Sequence, residues 1–301
     1  MDDKVTFDEL IELYTLEKNL RSSSNKLFIS IVSRFSITID AVYPDDVDRQ
    51  AVLLWRKDFL KKIKPATINS YIAYLNSFYK FGIKNNYLKS KFSPFEGLSV
   101  KAPISNDRRL SDKKINRIFK FIDDNDVLFN RDPSWFWKTV VMVFYHTGMR
   151  VSQLIGLNNQ DVDLVDGWIR LRAEHSKNYL EYKVPISDDL NRVLVDYISK
   201  RKRIANQFFN IHENRLKFDP KRKDYMNSDD VFYAFGLLSK SVGFRVTSHM
   251  FRHTLASDII KSSGNVVYAQ RLLGHLSVQT TTRYIHLDTE DLKETLNDCR
   301  K

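Results

Sequence analysis

The stretch Trp135 to Tyr145, WFWKTVVMVFY, constrains this chain more than any other, because wound as a helix it is apolar on nearly every side. A helix without a polar face must be surrounded, so the pattern predicts a central buried helix with other elements packed around it. Its uninterrupted apolar run, Val140 to Tyr145, is far shorter than the roughly 18 to 20 residues that cross a bilayer, so those surroundings are protein. Gly148 stops the helix, and a new one begins near Arg150. Trp168 to Arg172 and Leu180 to Ile186 alternate apolar and polar residues, as in Leu180, Tyr182, Val184 and Ile186, and read as two strands joined by a polar turn that holds Lys177. Upstream, a helix opens at Ser111, with Leu110 and Ile115 spaced as a staple around a serine cap. Downstream the pattern is helical through Asn297, with a polar break around 206–229.

Before this region lies Ser93 to Arg109, SPFEGLSVKAPISNDRR, which loses all periodicity and carries two prolines and a glycine. It is expected to be an interdomain linker. The expected organisation is therefore a first domain at 1–96, a linker at 97–107 and a second domain at 108–301. A chain of 301 residues with 43% hydrophobic content can supply a core to each. Charge separates the regions further. Met1 to Asp48 holds 10 acidic and 5 basic residues, whereas Arg49 to Lys91 holds 10 basic residues and one acidic, Asp58. The basic stretch reads as two helices, with Leu53, Leu54, Phe59 and Ile63 on one apolar face and Ile68, Tyr71, Ile72, Leu75, Phe78 and Tyr79 on the other. Pro65 separates them, with Thr67 as the expected N-cap of the second. A basic face so one-sided suits a polyanion, as does the formal net charge of +11, the rival reading being a merely solvated face. The single cysteine, Cys299, leaves no partner for an intramolecular disulfide or a cysteine-based zinc site and points to a reducing compartment. The acidic start, MDDKVTFDEL, is unlike a signal peptide, so a soluble, cytoplasmic protein is expected.

Several residues of the second domain sit where an anion would be handled. Arg150 follows the Thr147-Gly148-Met149 turn at the opening of a short helix, so its guanidinium and the helix N-terminus can address one anion; pairing with Asp161 or Asp163 is the structural alternative. In His249-Met-Phe-Arg-His253 the i, i+3 spacing puts His249 and Arg252 on one helix face while Phe251 and Leu255 turn to the core. His249 and His253 also have the i, i+4 spacing of a zinc pair, but Met250 stands where a metalloprotease helix needs glutamate. Leu272-Leu-Gly-His275 ends another helix at a glycine, and Tyr284 follows nine residues after His275. There is no phosphate-binding GxxxxGK[ST] loop, no GxGxxG fingerprint and no GxSxG elbow, so nucleotide hydrolysis, hydride transfer and acyl transfer lack their usual apparatus.

Three segments, Thr147-Gly-Met-Arg-Val-Ser-Gln-Leu-Ile-Gly-Leu157, His249-Met-Phe-Arg-His-Thr-Leu-Ala-Ser257 and Leu273-Gly-His-Leu-Ser-Val-Gln-Thr-Thr-Thr-Arg-Tyr-Ile-His286, strongly resemble the signature boxes of the tyrosine recombinases, or phage integrase family, and in the family's order. Lys177, seven residues before Val184-Pro185, stands at the place of the family's hairpin lysine. Thr67 to Phe81 looks like the last helix of the family's core-binding domain. The resemblance is to the simple two-domain type, Xer-like and mobile-element recombinases, without an added arm-site domain. It implies a mainly α fold, with a helical, SAM-like core-binding domain followed by an α+β catalytic domain that carries a small antiparallel sheet. It implies a site-specific recombinase that cleaves and rejoins DNA through a 3′-phosphotyrosine and a Holliday junction, for integration, excision or resolution of a DNA element. No cofactor and no metal are called for.

The same resemblance assigns roles. Tyr284 would be the nucleophile, Arg150 and Arg252 the clamp on the phosphate, Lys177 the acid for the departing 5′-oxygen, His249 a proton-transfer group beside the tyrosine, and His275 a donor to the phosphate. The expected partners are double-stranded DNA sites and further copies of the chain, as a dimer on each site and a tetramer on two, with an optional directionality or accessory factor and no membrane. Leu287 to Leu296 is expected to dock on a neighbouring protomer in cyclic fashion. The chain departs from the family pattern at Gln153, where an acidic residue is usual, and at Leu180, where many relatives carry a second lysine; Lys183 is the expected substitute contact to DNA. Rival outcomes on the same apparatus are a type IB topoisomerase-like or telomere-resolving enzyme, and a DNA-binding module without catalysis.

Overall fold

The computed structural model describes residues 4–102, 109–129, 131–176, 179–201, 206–215 and 225–274. The chain divides into two compact units, Met1–Ile104 and Ser105–Lys301, each with its own hydrophobic core. Among the described residues no helix is long and apolar enough to cross a membrane.

The first unit is helical, with α1 (Phe7–Lys18), α2 (Ser22–Ile39), α3 (Arg49–Leu60) and α4 (Pro65–Lys84). Thr6 and Glu9 begin α1 with a reciprocal capping box, in which the Glu9 N–H donates to the Thr6 hydroxyl and the Thr6 N–H to the Glu9 carboxylate at 2.8 Å. The core is unusually aromatic. Tyr14 stacks on Phe28 at 4.2 Å between ring centroids, and Phe35 meets both Trp55 and Phe95 edge-on at 5.1 Å. Burial pushes the Tyr79 hydroxyl far above the ordinary tyrosine range, and that hydroxyl donates to the Pro44 carbonyl.

Two expectations change here. The buried face of α3 is Val52, Trp55 and the half-buried Phe59, whereas Leu53 and Leu54 are exposed. The two readings differ by one residue of helical phase, and the indole, with the larger area to bury, takes the core. The second helix begins at Pro65, with Lys64 rather than Thr67 at the N-cap position. A proline there loses no hydrogen bond, because the first N–H groups of a helix have no internal acceptor, and its fixed φ is already helical.

The chain leaving this unit is fastened to it. Arg49 donates to the Glu96 carbonyl at 2.9 Å, Arg56 to the Leu98 carbonyl at 2.8 Å, and Asn69 exchanges two 2.8 Å bonds with the Val100 backbone. Phe95 and Leu98 are buried in the first core. Residues 97–100, expected to be linker, thus pack as part of the first unit, and two arginines of the basic run serve its architecture. Lys57, Lys62, Lys64, Lys84, Lys89 and Lys91 keep the basic face, all exposed.

The second unit holds α5 (Asp112–Asp123), β1 (Val127–Leu128), β2 (Asp132–Pro133), α6 (Ser134–Thr147), α7 (Val151–Ile155), β3 (Val162–Asp163), β4 (Trp168–Leu171), β5 (Tyr182–Pro185), α8 (Asp188–Lys200), α9 (Ile211–Asn214), α10 (Ser228–Val242), α11 (Ser248–Ser263) and α12 (Val266–Leu273). The expected central helix is α6, which buries Phe136, Trp137, Val140, Val141, Val143 and Phe144 and packs against α5, α8 and α11. Ser111 occupies the N-cap position of α5 without a side-chain cap bond, while Leu110 and Ile115 are both buried in the core beneath it.

The sheet is antiparallel in the order β3-β4-β5, with Ile169 opposite Val184 and Leu171 opposite Tyr182. The two-residue strands β1, β2 and β3 are too short for alternation to register in a sequence. Within the expected polar break, Phe208, Phe209, Ile211 and Met226 are all buried in the core. Gln207 ties this segment down, donating to the Ile155 and Met226 carbonyls and accepting from the Met226 N–H.

Asp161 anchors the sheet from beneath. It is wholly buried, and its carboxylate accepts from Arg172 at 2.9 Å, Arg170 at 3.0 Å and the Asn158 N–H at 3.0 Å. Burial by itself would raise its pKa, but the Asn158, Arg172 and Arg170 bonds outweigh that and hold it below the ordinary aspartate value. A carboxylate whose pKa is lowered by folding contributes stability above its unfolded pKa and loses it as the pH falls through the folded value. Urea unfolding followed from pH 5 to pH 3 is therefore expected to show the parent losing stability on the acid side. Asp161→Asn, less stable at pH 5, should show a shallower decline.

Candidate active site

Two helix ends of the second unit meet at one guanidinium. Gly148 ends α6 and Gly274 ends α12, both in the left-handed conformation at φ 60° and φ 61°. Both are expected helix stops, because a side chain at such φ is strained. Arg252, in the second turn of α11 and only 3% exposed, reaches both ends. Its Nη1 donates to the Gly148 carbonyl and its Nη2 to the Leu273 carbonyl, each at 2.7 Å. The two acceptors lie at the C-terminal, partially negative ends of their helices, where a buried cation is best compensated. Close approach enforces glycine as well. A Cβ on Gly148 would lie 2.8 Å from a Leu273 methyl, and one on Gly274 would lie 2.6 Å from the Tyr182 ring.

Arg150 stands beside this junction as the N-cap residue of α7. Neither expected carboxylate holds it. Asp161 is occupied by Arg170 and Arg172, and Asp163 accepts from the Val165 and Asp166 N–H groups of its own turn. The Arg150 Nη1 is buried with no hydrogen-bond partner among the described residues. A buried, unanswered guanidinium donor is costly unless an anion completes it. Gln153, at the position where the family usually has an acidic residue, is 1% exposed and accepts the Arg150 backbone N–H at 2.8 Å. Its amide also donates to the Tyr182 hydroxyl at 3.4 Å, and that hydroxyl donates to the Leu273 carbonyl at 3.2 Å.

His249 is exposed in the first turn of α11, while Arg252 one turn on is buried, so the two share a helix face but not a depth. Phe251 is fully buried, as expected, and Leu255 is half-buried. Among the described residues no group of three or more His, Cys, Asp or Glu is placed to hold a metal, and the His249–His253 spacing acquires no third ligand there. Lys183, an expected DNA contact, lies with its ammonium 3.7 Å from the centroid of the Trp168 ring, a cation–π arrangement. Lys177, His275, Tyr284 and the Leu287–Leu296 segment lie outside the described residues. Sequence reasoning missed Tyr182 as part of this site. Alternation marked it only as a strand residue, and the contact that matters comes from Leu273, distant in sequence.

Residues 108–291 match the family model described as the phage integrase family. The chain belongs to that family. A XerC-type tyrosine recombinase sequence of Pseudomonas syringae is 28% identical over 306 residues, covering 98% of this chain, and the chain spans 64% of that relative's length. Among solved structures, the Tn1549 transposon integrase in complex with transposon right end DNA is similar with a TM-score of 0.75 at 17% identity, covering 99% of this chain and 100% of that one. A lambda integrase tetramer bound to a Holliday junction is similar with a TM-score of 0.69 at 16% identity, covering 94% of this chain and 78% of that one.

The fork of Arg252 yields a stability test independent of any reaction. Arg252→Lys keeps the charge, but a single ammonium cannot reproduce two diverging 2.7 Å bonds. Urea unfolding should show it less stable by about 1 to 3 kcal/mol, the usual cost of one buried polar group left unsatisfied.

Proposed function

We propose that the protein is a site-specific tyrosine recombinase that breaks and rejoins double-stranded DNA by transesterification. The observation that carries the reading is the pair of arginines from the first and second boxes. Arg252 is fixed by two backbone carbonyls, and the nearby Arg150 keeps a buried Nη1 without a partner among the described residues. Two guanidinium groups, one fixed in advance and one with an open donor, suit the non-bridging oxygens of a phosphodiester, where charge grows in the pentacoordinate transition state.

In this reading the Tyr284 oxygen attacks phosphorus. A bond forms between that oxygen and the phosphate, the bond to the 5′-oxygen breaks, and a 3′-phosphotyrosine and a 5′-hydroxyl result. His249 takes part in moving the tyrosine proton, Lys177 protonates the departing 5′-oxygen, and His275 donates to a phosphate oxygen. The ester bond energy is kept in the phosphotyrosine, so attack by another 5′-hydroxyl rejoins a strand without an energy source, and the mechanism requires neither metal nor cofactor. The first unit, with residues 97–100 packed into it, would be the helical DNA-binding domain, and 108–301 the catalytic one. The exposed lysines of α3, α4 and the following turn would track phosphates, making binding steeply salt-dependent. Four copies would act on two sites, with Leu287–Leu296 docking on a neighbour. A cytoplasmic location, at the nucleoid when DNA is bound, follows from that substrate.

The test is an SDS-resistant adduct assay in EDTA on nicked duplexes tiled from the DNA flanking the gene. The parent should form a covalent adduct on one of them. Tyr284→Phe should form none, and Arg150→Ala should react about 10²- to 10³-fold more slowly, as expected for loss of one transition-state donor. An adduct with Tyr284→Phe at the parent's level overturns the assignment of the nucleophile.

A further inference from the structure

We propose that Tyr182 and Gln153 form one uncharged positioning device that locks the two arginines to the sheet, and that the glutamine is required by the tyrosine. This rests on the reading that Arg150 and Arg252 receive a DNA phosphate.

The direction of each hydrogen bond in the chain is forced. The Leu273 carbonyl can only accept, so the Tyr182 hydroxyl spends its one proton on it at 3.2 Å. With that proton committed, the hydroxyl can only accept from residue 153, and Gln153 supplies an amide N–H at 3.4 Å. The other end of the same amide is equally constrained, since its oxygen faces the Arg150 N–H at 2.8 Å. An amide satisfies both ends at once. A carboxylate at 153 could still accept from Arg150, but it has no proton for Tyr182 and would compete with Leu273 for the hydroxyl proton.

The device reaches both arginines. One end fixes the backbone from which Arg150 projects. The other shares the Leu273 carbonyl with Arg252, whose Nη2 donates to the same oxygen at 2.7 Å. The Tyr182 ring closes the space over Gly274, where no Cβ fits, so β5 is held against the turn at the end of α12. Tyr182 and Gln153 would touch no substrate. They act through the arginines, and their loss should slow the chemical step more than it weakens DNA binding.

Tyr182→Phe leaves the ring packed at Gly274 and removes only the hydroxyl. Gln153→Glu keeps size and shape and the acceptor for Arg150, but replaces the donated proton with a carboxylate charge. Both should bind the adduct-forming duplex with the parent's Kd and form the adduct about 10- to 100-fold more slowly, the range for small misplacement of catalytic groups. The double variant should be no slower than the slower single one, because both changes break the same chain. Rates within twofold of the parent in Tyr182→Phe, or a Gln153→Glu defect that persists in full on top of Tyr182→Phe, would overturn the proposal.

A second measurement needs no DNA. Inorganic phosphate, compared with chloride at equal ionic strength, should raise the Tm of the full chain, and Tyr182→Phe should lose most of that rise. If the parent forms no adduct on any duplex but its phosphate response depends on Tyr182, the recombinase reading fails and the positioning device stands. An unchanged phosphate response in Tyr182→Phe overturns the device.

Discussion

The second unit depends on a single buried cation placed against two helix ends. Arg252 lies below the surface, and its two terminal nitrogens answer carbonyls contributed by the end of α6 and the end of α12. Leaving any of the three groups unpaired in that environment would be expensive, so the position of one helix end dictates the position of the other. In the proposed reading, rigidity at this point would serve chemistry as well as folding. A phosphate clamp is useful only if its donors do not have to be gathered at the moment of reaction.

Elsewhere in the second unit, buried carboxylates are shared among several donors. Asp161 pairs with Arg170 and Arg172, and Asp132 accepts from Arg215 at 3.2 Å and from the Trp137 indole at 2.9 Å. Arg215 in turn donates to His212, whose other ring nitrogen faces Asp230 at 3.1 Å. The carboxylates nearest in sequence to Arg150 are thus already engaged, and the guanidinium at the site keeps a buried donor without an internal partner among the described residues. The uncharged Gln153 fits this arrangement. It orders the Arg150 backbone through a hydrogen bond and brings no negative charge that would compete with a phosphate for the guanidinium.

Much of this was legible in the sequence where local rules act. The all-apolar α6, its stop at Gly148, the pairing of Trp168–Leu171 with Tyr182–Pro185, and the stop at Gly274 all follow from periodicity and from glycine at positive φ. The misreadings have equally specific causes. In α3 two apolar stripes were available, and the choice of Trp55 over Leu53 and Leu54 was made by the aromatic rings of Phe35, Phe59 and Phe95, which meet it in space. The segment around 206–229 contains enough polar residues to hide four buried apolar ones. Arg49 and Arg56 counted toward a basic surface in the sequence, yet they point to the carbonyls of the departing chain.

By itself the sequence determined the class of the molecule. Three boxes in order name the groups that would carry the chemistry, and they can be read because each box is a local turn or helix end with fixed spacing. Tertiary structure decided which of those groups are fixed and by what. The burial of Arg252, the open donor of Arg150 and the place of Tyr182 arise from contacts across 104, 21 and 91 residues and from the space left at Gly274. No local pattern encodes such contacts, because they depend on how separately formed helices and strands share one core.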